Sequence, residues 1–143
     1  MRRFLTALPL APVLAVALAS CAATPEAGAD AGVDTTQVAV SVLYRERIML
    51  TPGHRLTVRL EDVSLADAPA RVMAEAGETL EGGPPYNVTL TVRNGDIDPR
   101  HTYAVRAEIR DPAGALRFTT DTRHSVLTQG APNRADIVLV GVR

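Results

Sequence analysis

One thiol, three imidazoles, a few hydroxyls and two carboxylates near a serine are the groups in this 143-residue chain that carry chemistry. The thiol, Cys21, closes the run Leu18-Ala19-Ser20-Cys21, the four-residue pattern that bacterial lipoprotein processing reads. The fourth position needs a thiol because its sulfur takes a diacylglyceryl group through a thioether. Cleavage before Cys21 then frees an α-amine that can be acylated as well. Leu18 supplies an apolar handle, and the small Ala19 and Ser20 let a peptidase approach the backbone. The alternative, an ordinary secretory signal with a chance cysteine, leaves a lone free thiol on a secreted chain, an uncommon outcome.

The carboxylates Asp62 and Asp67 stand five residues apart with Ser64 between them and Pro69 just beyond. Such a pair has two readings. It could be a general acid/base pair or a hard-metal site, but neither a third acid nor a phosphate-cradling glycine loop accompanies it. The reading preferred here is turn structure, in which Asp62 ends a strand and its carboxylate accepts backbone N–H groups two residues on; Ser64 and Asp67 can do likewise. Pro69 then holds Ala68 extended and starts the next strand. His54, His101 and His124 lie in or near turns without partners at metal-ligand spacing, so no metal and no cofactor are expected. Ser41, Ser64 and Ser125 sit in no Gly-x-Ser-x-Gly elbow, so no catalytic residue is expected.

The segments that must carry these groups begin with a leader. Arg2 and Arg3 form a charged start, Phe4 to Leu18 an apolar stretch broken by Thr6, Pro9 and Pro12, and residues 1–20 read as a lipoprotein signal peptide. That stretch is too short for a membrane-spanning helix, which needs about 20 apolar residues. Its removal takes away two arginines and no acid, so the formal charge moves from −1 to −3. All 15 basic residues are Arg, and nothing in their balance with 16 acids resembles the basic stripe of a nucleic-acid binder. Residues 21–35 hold Cys21 and one large apolar side chain, Val33, too little to bury, and read as a flexible tether. Two or more acyl chains hold a protein firmly on a bilayer, so the expected partner of Cys21 is the membrane itself. Ala22 replaces the Asp that in many Gram-negative bacteria retains lipoproteins in the inner membrane. The expected place is therefore the outer membrane, lipid-anchored and facing the periplasm.

From Thr36 to Arg143 the hydrophobic pattern has period two. Val38, Val40, Val42 and Tyr44 share a face; so do Leu56, Val58 and Leu60, then Tyr86, Val88, Leu90 and Val92, then Tyr103, Val105, Ala107 and Ile109. Leu116 and Phe118 alternate with Arg117 and Thr119, while residues 137–142 are apolar on both faces and read as a fully covered or central strand. Ile48–Leu50 and Arg71–Ala76 are weaker strand candidates. Glu46 is the one charge on an apolar stripe, which predicts a bend there and contact with an Arg or with water. Turn residues separate the runs, as in Thr51-Pro52-Gly53 and Gly82-Gly83-Pro84-Pro85. The expectation is an all-β domain, a small immunoglobulin-like antiparallel β-sandwich of seven or eight strands over residues 36–143.

Four segments resemble the YbaY/YscW lipoprotein family: Tyr44 to Leu50, Leu60 to Ala70, Pro85-Tyr86-Asn87-Val88 and Tyr103-Ala104-Val105. The block Asp62-Val63-Ser64-Leu65-Ala66-Asp67-Ala68-Pro69 is the most specific piece. The resemblance implies a small β-sandwich lipoprotein with a non-enzymatic binding or chaperone-like role toward a protein of the envelope. Within the family some members are pilotins, chaperones that carry a type III secretion secretin subunit to the outer membrane, and that is the alternative reading. A small envelope hydrolase is a third. An exposed apolar groove or free strand edge favours a binder; a pocket with convergent acids favours an enzyme.

Overall fold

The computed structural model describes residues 34–143; Leu18, Ala19, Ser20, Cys21 and nearly all of the expected tether lie outside the described residues. Eight strands follow one another: β1 (Thr35–Tyr44), β2 (Arg55–Asp62), β3 (Arg71–Thr79), β4 (Tyr86–Arg93), β5 (Tyr103–Arg110), β6 (Leu116–Thr119), β7 (His124–Val126) and β8 (Arg134–Gly141). A 3-10 turn at Asn94–Asp96 is the one helical element among the described residues. Alternation produces these strands because successive side chains point to opposite faces, so one face can be buried while the other stays wet. The apolar sets read from the sequence are that buried face. Val38, Val42, Leu56, Val58, Leu60, Val105, Ile109 and Ile137 are completely buried, each worth about 1.5–3 kcal/mol of transfer free energy.

The strands form one hydrogen-bonded path, β3-β2-β5-β6-β8-β1-β4, with β7 pairing β5 beside β6. Its end strands, β3 and β4, come to lie against each other. The result is a nearly closed barrel rather than the expected immunoglobulin-like sandwich. The wholly antiparallel arrangement also fails, because β1 and β8 run parallel from Ala39↔Arg134 to Tyr44↔Leu139. Beyond Leu139, β8 turns to β6 and pairs there through Gly141↔Phe118. One strand thus belongs to both halves, which is why they do not separate into two sheets. Periodicity states which face of a strand is buried and leaves its neighbours open.

Two local expectations change, and one of the weaker strand candidates is borne out. Ile48–Leu50 is loop, tied down by the Tyr44 hydroxyl donating to the Ile48 carbonyl (3.1 Å). Arg71–Ala76 lies within β3, and β7 is a strand of only three residues, too short to show alternation. The outer face of β8 is not fully covered: Val140 is 37% exposed and Val142, just past the strand, 45%. Between β6 and β7, Thr120 substitutes its side chain for a strand residue. Its hydroxyl donates to the Ala107 carbonyl (2.9 Å) and accepts from the Ala107 N–H (2.8 Å), both buried.

The registers define two poles. The chain enters at the pole where β1, β5 and β8 start and β2 and β4 end, gathering the loops 63–70, 94–102 and 127–133. There the Asn94 N–H donates to the Asp34 carbonyl (2.9 Å) and the Thr36 hydroxyl to the Asn94 side chain (2.6 Å). The far pole holds loops 45–54, 80–85 and 111–115 with the end of β8. At about 3.3 Å per residue, the length of β1 puts the poles roughly 30 Å apart.

Candidate functional site

At the entry pole, Asp62 is the hub of a polar network that ties three loops together. Its Oδ1 accepts from the Ser64 N–H (3.0 Å) and from the Ser64 hydroxyl (2.5 Å), so β2 ends in an Asx-turn. Its Oδ2 lies 2.7 Å from Nδ1 of His101, 39 residues away on the β4–β5 loop. The Ser64 hydroxyl in turn accepts from the Thr102 N–H (2.9 Å), and the Val63 N–H donates to the Thr102 carbonyl (2.9 Å). The β7–β8 loop joins through the Thr128 hydroxyl, which donates to the His101 carbonyl (2.7 Å), and through Gln129, which donates to the Thr102 hydroxyl (3.2 Å). Leu127 (φ 72°) and Gln129 (φ 57°) hold left-handed backbone to make that reach, a conformation that costs a non-glycine residue on the order of 1 kcal/mol or more.

Burial pushes the Asp62 carboxyl up, but hydrogen bonds from the Ser64 side chain and main chain and from His101 outweigh it and hold it below the ordinary range. Beside it, hydrogen bonds from the Arg100 side chain and then its main chain keep the Asp98 carboxyl far below that range. The Asp98 N–H is taken by the hydroxyl of the buried Tyr103 (2.9 Å).

The chemistry follows from who donates to whom. The Ser64 hydroxyl faces the carboxylate and not the imidazole, so His101 is not placed to take its proton, as a triad base must. The carboxylate itself is already engaged by three partners. Asp67 is exposed in the following turn with no hydrogen bond, and Pro69 is exposed two residues ahead of β3, so the two Asp residues are not brought together. His54 bonds the Thr51 carbonyl (2.8 Å) and His124 the Thr122 hydroxyl (3.1 Å), each within its own turn. No group of three metal-ligating side chains occurs among the described residues. His101 as the partner of Asp62 was not legible; the sequence placed His101 in or near a turn but did not say what that turn touches.

At the far pole, Glu46 sits just past the end of β1. Its Oε1 accepts from the Gly141 N–H (3.1 Å), so the carboxylate continues the bonding of β8 where β1 has stopped. Glu46 is exposed, and in place of an Arg it meets this backbone N–H. A Cβ at position 141 would stand 3.0 Å from the same carboxylate oxygen, so a larger residue there would push the Glu46 side chain aside. Around Glu46 opens a shallow groove of about 360 Å³ lined by Ile48, Phe118, Val140, Val142, Arg117 and Arg143. The Phe118 ring, stacked on Tyr44 at 4.8 Å, forms its buried floor. Burial, followed by the hydrogen bond with Tyr44, pushes the neighbouring Tyr86 hydroxyl up to about 12, so it remains a donor, to the Gly82 carbonyl (2.8 Å).

In class the domain is an all-β, eight-stranded near-barrel with a polar clamp at one end and a shallow groove at the opposite pole. Residues 33–139 match the family described as "Type III secretion system lipoprotein chaperone (YscW)". The chain belongs to this family. It is similar to the "Uncharacterized lipoprotein YbaY" of Escherichia coli (strain K12), with 34% identity over 145 residues, covering 91% of this chain and 75% of that protein. Among solved structures it is similar to an alternative pilotin from the type II secretion system of Vibrio cholerae. The TM-score is 0.74 at 39% identity, covering 77% of this chain and 99% of the pilotin.

Proposed function

We propose that the protein is a non-enzymatic, chaperone-like binding domain held at the periplasmic face of the outer membrane by a lipid on Cys21, with a secretin-type subunit as its partner. The observation that carries this reading is the likeness to a pilotin over 99% of that pilotin's length at 39% identity. The family description, a lipoprotein chaperone, supports the same class of role. The solved pilotin serves type II secretion and the family description names type III, so the shared reading is escort of an envelope subunit rather than one secretion system. The tie of Asp62 to the backbone and hydroxyl of Ser64 and to His101 supports a structural rather than a catalytic role for the 62–69 block.

In this reading Leu18, Ala19 and Ser20 direct processing, and Cys21 anchors the chain. The test is fractionation of cells carrying the wild type, a deletion, or Cys21→Ser, with the secretin subunits located by immunoblot. The expected result is a subunit in the outer membrane of the wild type and displaced to the inner membrane in both others. An unchanged distribution of every secretin subunit refutes the proposal. Intact-mass measurement of membrane-extracted protein checks the anchor: a mature chain from Cys21 without added lipid mass rules it out.

A further inference from the structure

We infer that the groove beside Glu46 at the far pole is the partner-binding surface, and that it takes a polypeptide segment combining apolar with acidic side chains. The inference rests on the proposed binding role and names the partner's chemistry. Six large apolar side chains are exposed among the described residues, and four of them, Ile48, Met49, Val140 and Val142, gather at this pole. Met49 is 84% exposed and Ile48 52%, on a loop whose backbone is nevertheless pinned by the Tyr44 hydroxyl. A fixed loop that keeps such side chains in water is arranged for a partner that covers them.

The charge of the groove selects that partner. Arg117 and Arg143 line it and, like seven of the other described arginines, form no ion pair among the described residues, so both guanidiniums are available to an occupant. The lone carboxylate of the groove, Glu46, is engaged by the Gly141 N–H. Val140 and Glu46 also line an adjoining depression with Arg45 and Val138, whose acids are Glu46 itself and Asp121, and which extends the surface along the outer face of β8. An occupant with carboxylates at its margins and apolar side chains at its centre pairs the guanidiniums and fills the floor. An anionic bilayer shares part of that chemistry. The pole is wrong for it: a chain anchored through its N-terminal side enters the domain at the opposite end of β1, roughly 30 Å away by strand rise.

The test uses the full chain in detergent micelles and three labelled 18-residue peptides, built of Leu and Glu, of Leu and Lys, and of Ser and Glu, read by fluorescence anisotropy. Phosphatidylethanolamine/phosphatidylglycerol vesicles are a fourth arm, read by co-flotation of the detergent-free Cys21→Ser protein. The Leu/Glu peptide is expected to bind at least tenfold more tightly than the other two. Arg117→Glu and the pair Ile48→Ser/Val142→Ser, all exposed positions, should each weaken it at least tenfold without lowering the melting temperature. Equal binding of Leu/Glu and Leu/Lys peptides, no binding, or vesicle binding lost in the same variants overturns the assignment. A photo-crosslinking residue in cells separates this from failure of the binding role itself. Adducts to protein from position 142 but not from position 65, at the other pole, support the groove. Adducts from 65 alone overturn the groove and leave the binding role standing, and adducts from neither overturn both.

Discussion

Replacing Asp62 with alanine removes three hydrogen bonds at once: from the Ser64 N–H, from the Ser64 hydroxyl and from His101. Each is worth roughly 0.5–1.5 kcal/mol net. His101 is 44% exposed, so it regains water when its partner goes. The sum is therefore placed at about 2–3 kcal/mol, or roughly 8–12 °C in melting temperature at about 4 °C per kcal/mol for a domain of this size. Asp62→Asn keeps an oxygen for both Ser64 bonds and gives up the charge toward His101, so about 1 kcal/mol and roughly 4 °C are expected. The effect has a pH signature with a definite sign. Because the folded carboxyl titrates below its ordinary value, its ionised form stabilises the fold. That stability is complete above the unfolded value near pH 4 and is lost as pH falls through the lower folded value. The gap between wild type and Asp62→Asn in melting temperature, followed by circular dichroism from pH 7 to pH 2, should hold down to about pH 5 and narrow below it. An Asp62→Ala chain melting within 2 °C of wild type, a threshold of about 0.5 kcal/mol, would falsify the claim that the network clamps the three loops.

Thr120→Val should cost about 1–3 kcal/mol in denaturant unfolding, because the buried Ala107 N–H loses its acceptor; Thr120→Ser, which keeps the hydroxyl, should recover most of it. Glu46→Ala should speed hydrogen exchange at the Gly141 amide while leaving amides in the middle of β8 protected, and an unchanged Gly141 rate would show that the carboxylate contributes nothing to that end. A chain starting at Val33 should melt within a few degrees of one starting at Ala22, whereas a start at Val38 removes both the Asp34 and Thr36 bonds to Asn94 and should melt lower. Equal melting of all three would show that the start of β1 adds no stability.

The strands were legible because a half-buried strand writes its burial into every second residue, as in Val38, Val40, Val42 and Tyr44. Partner choice left no such trace. Nothing in residues 134–139 says that they lie parallel to β1, and with that pairing unseen the barrel-like closure was unseen too. The Asx-turn at Asp62 is local, two residues long, and follows from side-chain chemistry. Its bond to His101 spans 39 positions and depends on where two loops meet in space. Glu46 was visible as a misfit on an apolar stripe, but its acceptor role toward Gly141 required knowing that β1 stops one bond short of β8's end. Arg117 and Arg143 looked like two arginines among 15; only the fold sets them around exposed valines.

The parallel seam between β1 and β8 has a consequence in time as well as in space. Every residue pair across it is separated by 95 positions, as Ala39 is from Arg134 and Tyr44 from Leu139. Closing a loop of that length costs roughly 4 kcal/mol of chain entropy before any of its contacts is made. On a ribosome, or on a chain threaded through a translocon, β1 emerges long before its neighbour exists. The seam therefore acts as a latch that engages last. Until β8 arrives, β1 has only β4 as a hydrogen-bonded neighbour. A circular permutant that joins the end of β8 to the start of β1 through a crossover of a dozen or more residues, long enough to run back between the poles, would remove that delay. It should fold faster, and it would reveal whether the wait is itself part of how the chain reaches its place.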